Sequence, residues 1–301
     1  MSPDAGTRIE SGRAPVGELE IAFDVAGDPA DPALLLVPGL GTQRIYWDDP
    51  LVEMFTARGF RVIRIDNRDA GESTVLSHLG TPARVPMMLG IPTGLRYTMS
   101  DMAADAVGVL DHLGIDRAHL AGFSMGGMIV QTIAVEHPDR VLSMCSIMSR
   151  TGRFSDSLPG GHQLVALLRT APTELDAFLT HTEALGSVIG SAAFPQDEER
   201  LRRIATEAFN RGIHPDGTSR QLHAINAQRD RSRALRKSSV PTLVIHGAAD
   251  RLVFPRGGRH TAKVTPGARL RVYDGMAHDL PEQLWPRFAD EIASNAARAG
   301  A

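Results

Sequence analysis

Apolar and polar residues follow each other along the chain in a pattern that predicts mostly parallel strands with helices between them. Short, unbroken apolar runs are typical of strands buried on both faces, and alternation is typical of a half-buried strand. Strands are predicted over 18–26 (half-buried), 34–37, 60–65, 118–122, 142–147, 242–245 and 269–273. Helical spacing predicts helices over 48–58, 99–113 (with Ser100 as N-cap) and 125–136. Strands that alternate with helices in this way indicate an α/β fold.

Two stretches interrupt this alternation. Residues 76–97 are rich in proline, glycine and methionine and are too long for an ordinary connection, so we predict that they shape a site or a lid. Residues 150–237 lie between two core strands and have a helical pattern. The helices predicted there span 164–168, 174–185 and 197–211. We therefore predict a core made of 1–149 and 238–301, with 150–237 inserted as a helical cap.

Composition and charge argue against several classes of protein. A net charge of −3 over 301 residues, with arginines scattered among acids, does not provide the basic surface that nucleic acid requires. The start of the chain lacks the apolar stretch of a secretory signal, and no apolar run approaches the roughly 18 residues of a membrane helix. We expect a cytoplasmic protein that binds neither nucleic acid nor membrane. Cys145, the only cysteine, forms no intrachain disulfide, and its apolar neighbours predict a buried side chain.

A candidate nucleophile lies between a predicted strand and a predicted helix. Residues 122–126 read GFSMG and match G-x-S-x-G, which in this context is typical of a nucleophile elbow. The serine of such an elbow sits in a tight turn with an unfavourable backbone, so its neighbours must lack bulk; Gly122, Gly126 and Gly127 meet that need. The helix that follows directs its N-terminus at the reacting oxygen, which favours developing negative charge. Ser124 is the predicted nucleophile.

A serine needs a base, and the base needs a carboxylate that fixes its tautomer. His278 follows the last predicted strand, and Asp250 follows the strand over 242–245, so both project from strand ends. The chain order Ser124, Asp250, His278 is the order found in α/β-hydrolases. Asp279 and Asp156 are weaker candidates for the acid, because the first is adjacent to the histidine and the second lies far beyond its strand.

Two backbone N–H groups are expected to stabilise an oxyanion. One is the amide of Met125, directly after the nucleophile, and the other is most simply the amide of Leu40, in the loop after the strand over 34–37. Candidates for lining the substrate pocket are Gly39, Trp47 and Phe123.

A polar turn over 66–73 follows another predicted strand. We predict a structural role for it, with Asp66 and Arg68 paired to anchor the loop. The sequence has no cluster with convincing metal-ligand spacing and no GxxxxGK[ST] phosphate loop, so no metal and no cofactor is predicted.

Several segments resemble bacterial α/β-hydrolases, in particular the aclacinomycin methylesterase-like serine esterases. These segments are 27–37, 62–74, 101–119, 122–127, 240–250 and 275–281. The resemblance implies an α/β-hydrolase fold and carboxylic ester hydrolysis through an acyl-enzyme, with Ser124, Asp250 and His278 as the triad, in a setting such as secondary metabolism. The loop PGLGTQRIYW and the predicted cap depart from these esterases, so the resemblance implies the reaction class and not the substrate.

Other activities share the same triad. A lactonase, a carbon–carbon bond hydrolase, an acyltransferase or a perhydrolase differs in the shape of its pocket, which these motifs do not determine. A ligand receptor that retained the fold is a further alternative. The expected partner is a small-molecule ester or lactone, and the oligomeric state stays open.

Overall fold

The computed structural model describes residues 8–82, 94, 96–156, 162–163 and 169–300. Within these residues eight strands form one sheet. The strands are β1 (Ile9–Val16), β2 (Leu19–Ala26), β3 (Ala33–Val37), β4 (Arg61–Ile65), β5 (Ala118–Phe123), β6 (Val141–Ile147), β7 (Thr242–Gly247) and β8 (Arg269–Tyr273). Their order is β1-β2-β4-β3-β5-β6-β7-β8, antiparallel from β1 to β4 and parallel from β4 to β8. The predicted mostly parallel sheet is confirmed.

Helices cover both faces of this sheet. In chain order, the α-helices of the described residues are α1 (Asp49–Thr56), α2 (Met99–His112), α3 (Met125–Glu136), α4 (Leu175–Ile189), α5 (Glu198–Arg211), α6 (Pro215–Ala227), α7 (Ser232–Leu235), α8 (Pro255–Val264) and α9 (Trp285–Ala296). Successive side chains of a strand point to opposite faces. In β3, Leu35 and Val37 join the core under α2 and α3, while Leu34 and Leu36 join the core under α1 and α9. Burial on both faces explains the unbroken apolar run.

The N-cap of α2 differs from the prediction. Thr98 caps the helix: its hydroxyl accepts from the Asp101 amide at 3.2 Å, and the Asp101 carboxylate accepts from the Thr98 amide at 2.7 Å. Such a reciprocal pair satisfies two amides that a helix start otherwise leaves without partners. Ser100 is not the cap, and its hydroxyl donates to Glu136 at 2.7 Å instead.

The helices α4 to α7 lie between β6 and β7. The helix predicted over 174–185 extends to Ile189, and the one predicted over 197–211 is α5 with Asp197 as its N-cap. The predicted helix over 164–168 lies outside the described residues, as do 83–93 and 95 of the segment over 76–97. The sequence pattern did not predict α6, because its buried face carries Arg220, Gln221 and His223 in place of apolar residues.

The polar turn after β4 makes its ion pairs with other elements. Asp66 accepts from the Arg44 amide at 2.6 Å and is ion-paired with the Arg44 guanidinium, while Arg68 Nε and Nη2 lie 2.5 and 2.7 Å from the two oxygens of Asp105. The predicted Asp66–Arg68 pair was wrong, because Asp66 is paired with Arg44 and Arg68 is paired with Asp105.

The prediction for Cys145 is confirmed: its side chain is buried, and burial raises the pKa of its thiol.

An ion pair also joins α6 to this turn. Arg220 Nε and Nη2 lie 2.8 and 2.6 Å from the carboxylate of Asp69, and both side chains are about fully buried (1% and 0% exposed). Tyr97 Oη adds a third donor at 2.9 Å. Breaking one partner of such a buried pair leaves an uncompensated charge, so α6 is firmly attached to the core at this point.

The buried carboxylates of Asp24 and Asp69 predict a loss of stability in acid. Burial alone would raise the pKa of Asp24 and Asp69, but Arg44 and Arg64 lower the first and hydrogen bonds led by Arg220 lower the second. The unfolded chain, with aspartate pKa values of about 3.9, then binds more protons than the folded chain. The free energy of unfolding in urea should therefore hold from pH 7 to about pH 5 and fall steadily below about pH 4. A free energy of unfolding that stays constant down to pH 3 would contradict the lowered pKa values of Asp24 and Asp69.

Candidate active site

Ser124 occupies a strained turn between β5 and α3. Its backbone has φ 54° and ψ −118°, an uncommon conformation for a residue with a side chain. Neighbouring backbone comes close: a Cβ on Gly122 would lie 2.3 Å from the Gly126 carbonyl oxygen, and one on Gly126 would lie 2.1 Å from the Val37 carbonyl oxygen. The Ser124 amide donates to the Ile147 carbonyl at 2.9 Å, which ties the turn to β6. Glycines allow this turn because no side chain fits beside it.

The three side chains predicted to act together lie in one hydrogen-bonded chain. His278 Nε2 is 2.9 Å from Ser124 Oγ, and His278 Nδ1 is 2.8 Å from Asp250 Oδ2. The loops that carry them follow β5, β7 and β8, whose C-terminal ends meet at the same edge of the sheet. Asp250 and His278 are buried, and Ser124 is half-buried.

Asp250 is held in one orientation and kept ionised. Its Oδ1 accepts from the amides of Leu252 and Val253, each at 2.9 Å, which leaves Oδ2 for His278. Burial alone would raise the pKa of Asp250, but the electrostatic interaction with His278 and hydrogen bonds from His246 and His278 outweigh it and place the pKa well below the usual range. A permanently charged carboxylate at this position can stabilise an imidazolium.

His246, near the end of β7, also contacts the acid. Its ring is fully buried, with Nε2 at 2.7 Å from the Val253 carbonyl oxygen and 3.4 Å from Asp250 Oδ2. A carbonyl only accepts, so Nε2 carries the proton. His246 therefore holds the loop that carries the acid.

The two weaker candidates for the acid lie elsewhere. The Asp279 carboxylate accepts from the Ser191 amide at 3.1 Å, from the Ser191 hydroxyl and from Gln196 Nε2 at 3.2 Å. Asp156 Oδ1 accepts from Ser155 at 3.3 Å. Among the described residues, neither carboxylate has a hydrogen bond or an ion pair with the His278 ring, so the geometry favours Asp250.

The amides predicted to form an oxyanion hole are free to donate. Within the described ranges, neither Leu40 N nor Met125 N donates a hydrogen bond to another residue. Met125 begins α3 directly after Ser124. Leu40 follows Gly39, where an added Cβ would lie 3.3 Å from Ser124 Cβ. Both peptide groups are therefore next to the nucleophile with a donor available.

The loop that carries Leu40 is held by residues that the motifs did not reveal. Gln221 on α6 accepts from the Gly41 amide at 2.8 Å and donates to the Arg68 carbonyl at 2.8 Å. Asn67 Nδ2 donates to the Pro38 carbonyl at 3.2 Å. Gln221 is fully buried, so it links α6 rigidly to the loop beside the nucleophile.

The three pocket candidates differ in their surroundings. Gly39 lies beside the nucleophile, since an added Cβ there would lie 3.3 Å from Ser124 Cβ and 2.9 Å from the Phe123 ring. Trp47 packs on Phe123 with ring centroids 5.2 Å apart, and it is 1% exposed in the core beneath α1 and α9. The structure thus places Trp47 in the core together with Phe123, while Gly39 lies beside Ser124.

Two further properties bear on function. Among the described residues there is no group of three or more His, Cys, Asp or Glu side chains arranged to hold a metal ion. In the same part of the chain, no helix is long and apolar enough to span a membrane.

Known proteins similar to this chain include a methylesterase and a hydrolase of another class. Rhodomycin D methylesterase DnrP of Streptomyces peucetius is 28% identical over 299 residues, which cover 92% of this chain and 95% of the relative. A 2-hydroxy-6-oxononadienedioate/2-hydroxy-6-oxononatrienedioate hydrolase of Burkholderia vietnamiensis is 29% identical over 87% of this chain and 85% of its own length.

Solved structures agree on the fold. The enol-lactonase from Burkholderia xenovorans LB400 superposes with a TM-score of 0.74 at 23% identity, covering 95% of this chain and 100% of the lactonase. The esterase RhEst1 from Rhodococcus sp. ECU1013 superposes with a TM-score of 0.74 at 20% identity, covering 98% and 100%. The model of the alpha/beta hydrolase fold family matches residues 32–283, and the chain belongs to that family.

Proposed function

We propose that this protein is a carboxylic ester hydrolase that works through an acyl-enzyme on Ser124. One observation carries the proposal: the unbroken hydrogen-bonded chain from Ser124 Oγ through the His278 ring to Asp250, with distances of 2.9 and 2.8 Å, at a strained elbow. A serine hydroxyl becomes a competent nucleophile when a positioned imidazole can take its proton, and this arrangement supplies one.

The first half of the reaction forms the acyl-enzyme. Ser124 Oγ attacks the ester carbonyl carbon, its proton moves to His278 Nε2, and the carbonyl π electrons move to the oxygen. The resulting oxyanion accepts hydrogen bonds from the amides of Met125 and Leu40. The intermediate collapses as the bond to the alcohol oxygen breaks, and His278 Nε2 gives that oxygen its proton.

The second half returns the enzyme to its starting state. Water loses a proton to His278 Nε2 and attacks the acyl carbon, and the same two amides hold the new oxyanion. Collapse breaks the bond to Ser124 Oγ, which regains the proton from His278, and a carboxylic acid leaves. Asp250 stays ionised throughout and stabilises the imidazolium each time it forms.

The substrate class follows from the relatives and not from the triad. DnrP is a rhodomycin D methylesterase that matches over nearly its full length, which supports the methyl ester of a bulky acid, in secondary metabolism, as the first substrate to test. A lactone is a cyclic ester and would undergo the same steps. Residues 150–237 act as the cap over this site; the contacts of Gln221 on α6 with the Gly41 amide support that role.

A labelling experiment tests the proposed function. The protein is treated with a fluorophosphonate, and the adduct is located by mass spectrometry after digestion. We expect one stoichiometric adduct on Ser124, together with turnover on a panel of short acyl esters, lactones and methyl esters of bulky acids. Absence of the adduct would overturn the serine mechanism. An adduct without turnover on any member of the panel would overturn ester hydrolysis and favour a ligand receptor or carbon–carbon bond cleavage.

A further inference from the structure

The loop that carries His278 docks on a short segment between α4 and α5. The amide of His278 itself donates to the Ile189 carbonyl at 2.9 Å, where α4 ends. The preceding amide, that of Ala277, donates to Ser191 Oγ at 2.7 Å. Two successive backbone groups of the histidine loop therefore have their partners 86 residues or more away along the chain, in the stretch proposed as the cap.

Ser191 sits at the centre of this contact. Its hydroxyl accepts from Ala277 and donates to the Asp279 carboxylate, and its own amide donates to Asp279 Oδ2 at 3.1 Å. The side chain is 1% exposed, so these bonds form away from water. A hydroxyl can donate one hydrogen bond and accept two. The Ser191 hydroxyl accepts from Ala277, the residue before His278, and donates to Asp279, the residue after it. Ser191 thus joins the residues on both sides of His278, and we call Ser191, Ala277 and Asp279 with these hydrogen bonds the clamp.

The clamp matters because the imidazole must satisfy two partners at once. Its Nδ1 lies 2.8 Å from Asp250 and its Nε2 lies 2.9 Å from Ser124. A ring that bridges two groups tolerates displacements of only about 0.5 Å before one contact lengthens beyond use. Misplacement of about 1 Å can cost 100-fold in rate. The backbone on both sides of His278 is therefore under a functional constraint.

We propose that Ser191 and Asp279 are positioning residues that hold His278 between Ser124 and Asp250. This inference rests on the proposed function, since it concerns the base of that reaction. It assigns a role to Asp279 that differs from that of the triad acid: the carboxylate fixes Ser191 and does not contact the ring. It also makes the segment after α4 part of the catalytic apparatus, in addition to any role in covering substrate.

The first test compares Ser191→Ala with Ser187→Ala. Ser187 lies on α4, is exposed, and donates to the Ala184 carbonyl of its own helix at 2.8 Å, so it is a matched control outside the clamp. We expect Ser191→Ala to lower kcat about tenfold or more with KM within about twofold, because the ring moves while the pocket does not. Ser187→Ala should keep both constants. Equal kcat in the two variants, or a rise in KM with unchanged kcat, would overturn the proposal.

A second readout needs no substrate. The proton between His278 Nδ1 and Asp250 gives a strongly deshielded NMR resonance when the ring is held, which we expect to be sharp in the wild type and in Ser187→Ala. It should broaden or disappear in Ser191→Ala while circular dichroism stays native. An unchanged resonance would overturn the clamp. Because this measurement is independent of turnover, a failure of fluorophosphonate labelling would remove the proposed function and still leave the clamp tested.

Asp279→Asn decides the matter if Ser191→Ala does not fold. The side-chain NH₂ group of an asparagine would face the N–H and O–H donors of Ser191 and Gln196, which have no acceptor there. We therefore expect kcat to fall about tenfold and the resonance to broaden or disappear. Where Ser191→Ala does fold, the double variant should be no worse than the poorer single variant, because both substitutions disrupt the same set of hydrogen bonds. Wild-type kcat in Asp279→Asn, or additive losses in the double variant, would overturn the proposal.

Discussion

Replacing Ser124 with alanine is expected to lower kcat for ester hydrolysis by a factor on the order of 10⁴ to 10⁶. The hydroxyl that His278 Nε2 approaches at 2.9 Å is the group proposed to form the acyl-enzyme, and a methyl group cannot replace it. Substrate binding and the oxyanion donors remain, so KM should change little. The measurement is steady-state kinetics on the best ester of the panel, with the variant expressed in a host free of the wild-type protein.

The control and a companion variant sharpen this result. Ser100→Ala removes a surface hydrogen bond to Glu136 at 2.7 Å and should leave kcat unchanged. His278→Ala should fall to about the same level as Ser124→Ala, and the double variant should fall no further, because nucleophile and base act as a unit. Full activity in either single variant would show that another residue carries the chemistry.

The elements that position the site were predictable because each has a local pattern. Buried strands of a parallel sheet appear as short apolar runs, and the loops after them must meet at one edge. Ser124, Asp250 and His278 each follow such a run, so their convergence required only the strand assignments and the chain order. The structure places the three side chains in contact as that reasoning expected.

The supporting contacts were not predictable, because they join polar residues that no pattern marks. Gln221 reaches Gly41 across 180 residues and Ser191 reaches Ala277 across 86, from helices and loops whose buried faces are polar. The N-cap of α2 was predicted wrongly for a related reason. Both Thr98 and Ser100 can cap a helix, and selecting between them requires the backbone geometry that brings the Asp101 carboxylate to the Thr98 amide.

Replacing Asp250 with asparagine is expected to lower kcat by a factor on the order of 10³ to 10⁴ with a native fold. The reason lies in the unequal environments of its two oxygens. Oδ1 accepts from the amides of Leu252 and Val253, so an asparagine must keep its oxygen there and turn its NH₂ group toward His278. That group donates to Nδ1, which moves the ring proton to Nε2, the nitrogen that should accept the proton of Ser124.

This outcome separates the triad acid from the residue beside the histidine. Asp279→Asn, the same chemical change one residue after His278, should cost only about tenfold, because Asp279 positions the loop and has no contact with the ring. Steady-state kinetics on both variants, with circular dichroism to confirm the fold, makes the comparison direct. Near-normal activity in Asp250→Asn with a severe loss in Asp279→Asn would transfer the acid to Asp279. The reverse ranking identifies Asp250 as the group that sets the histidine tautomer.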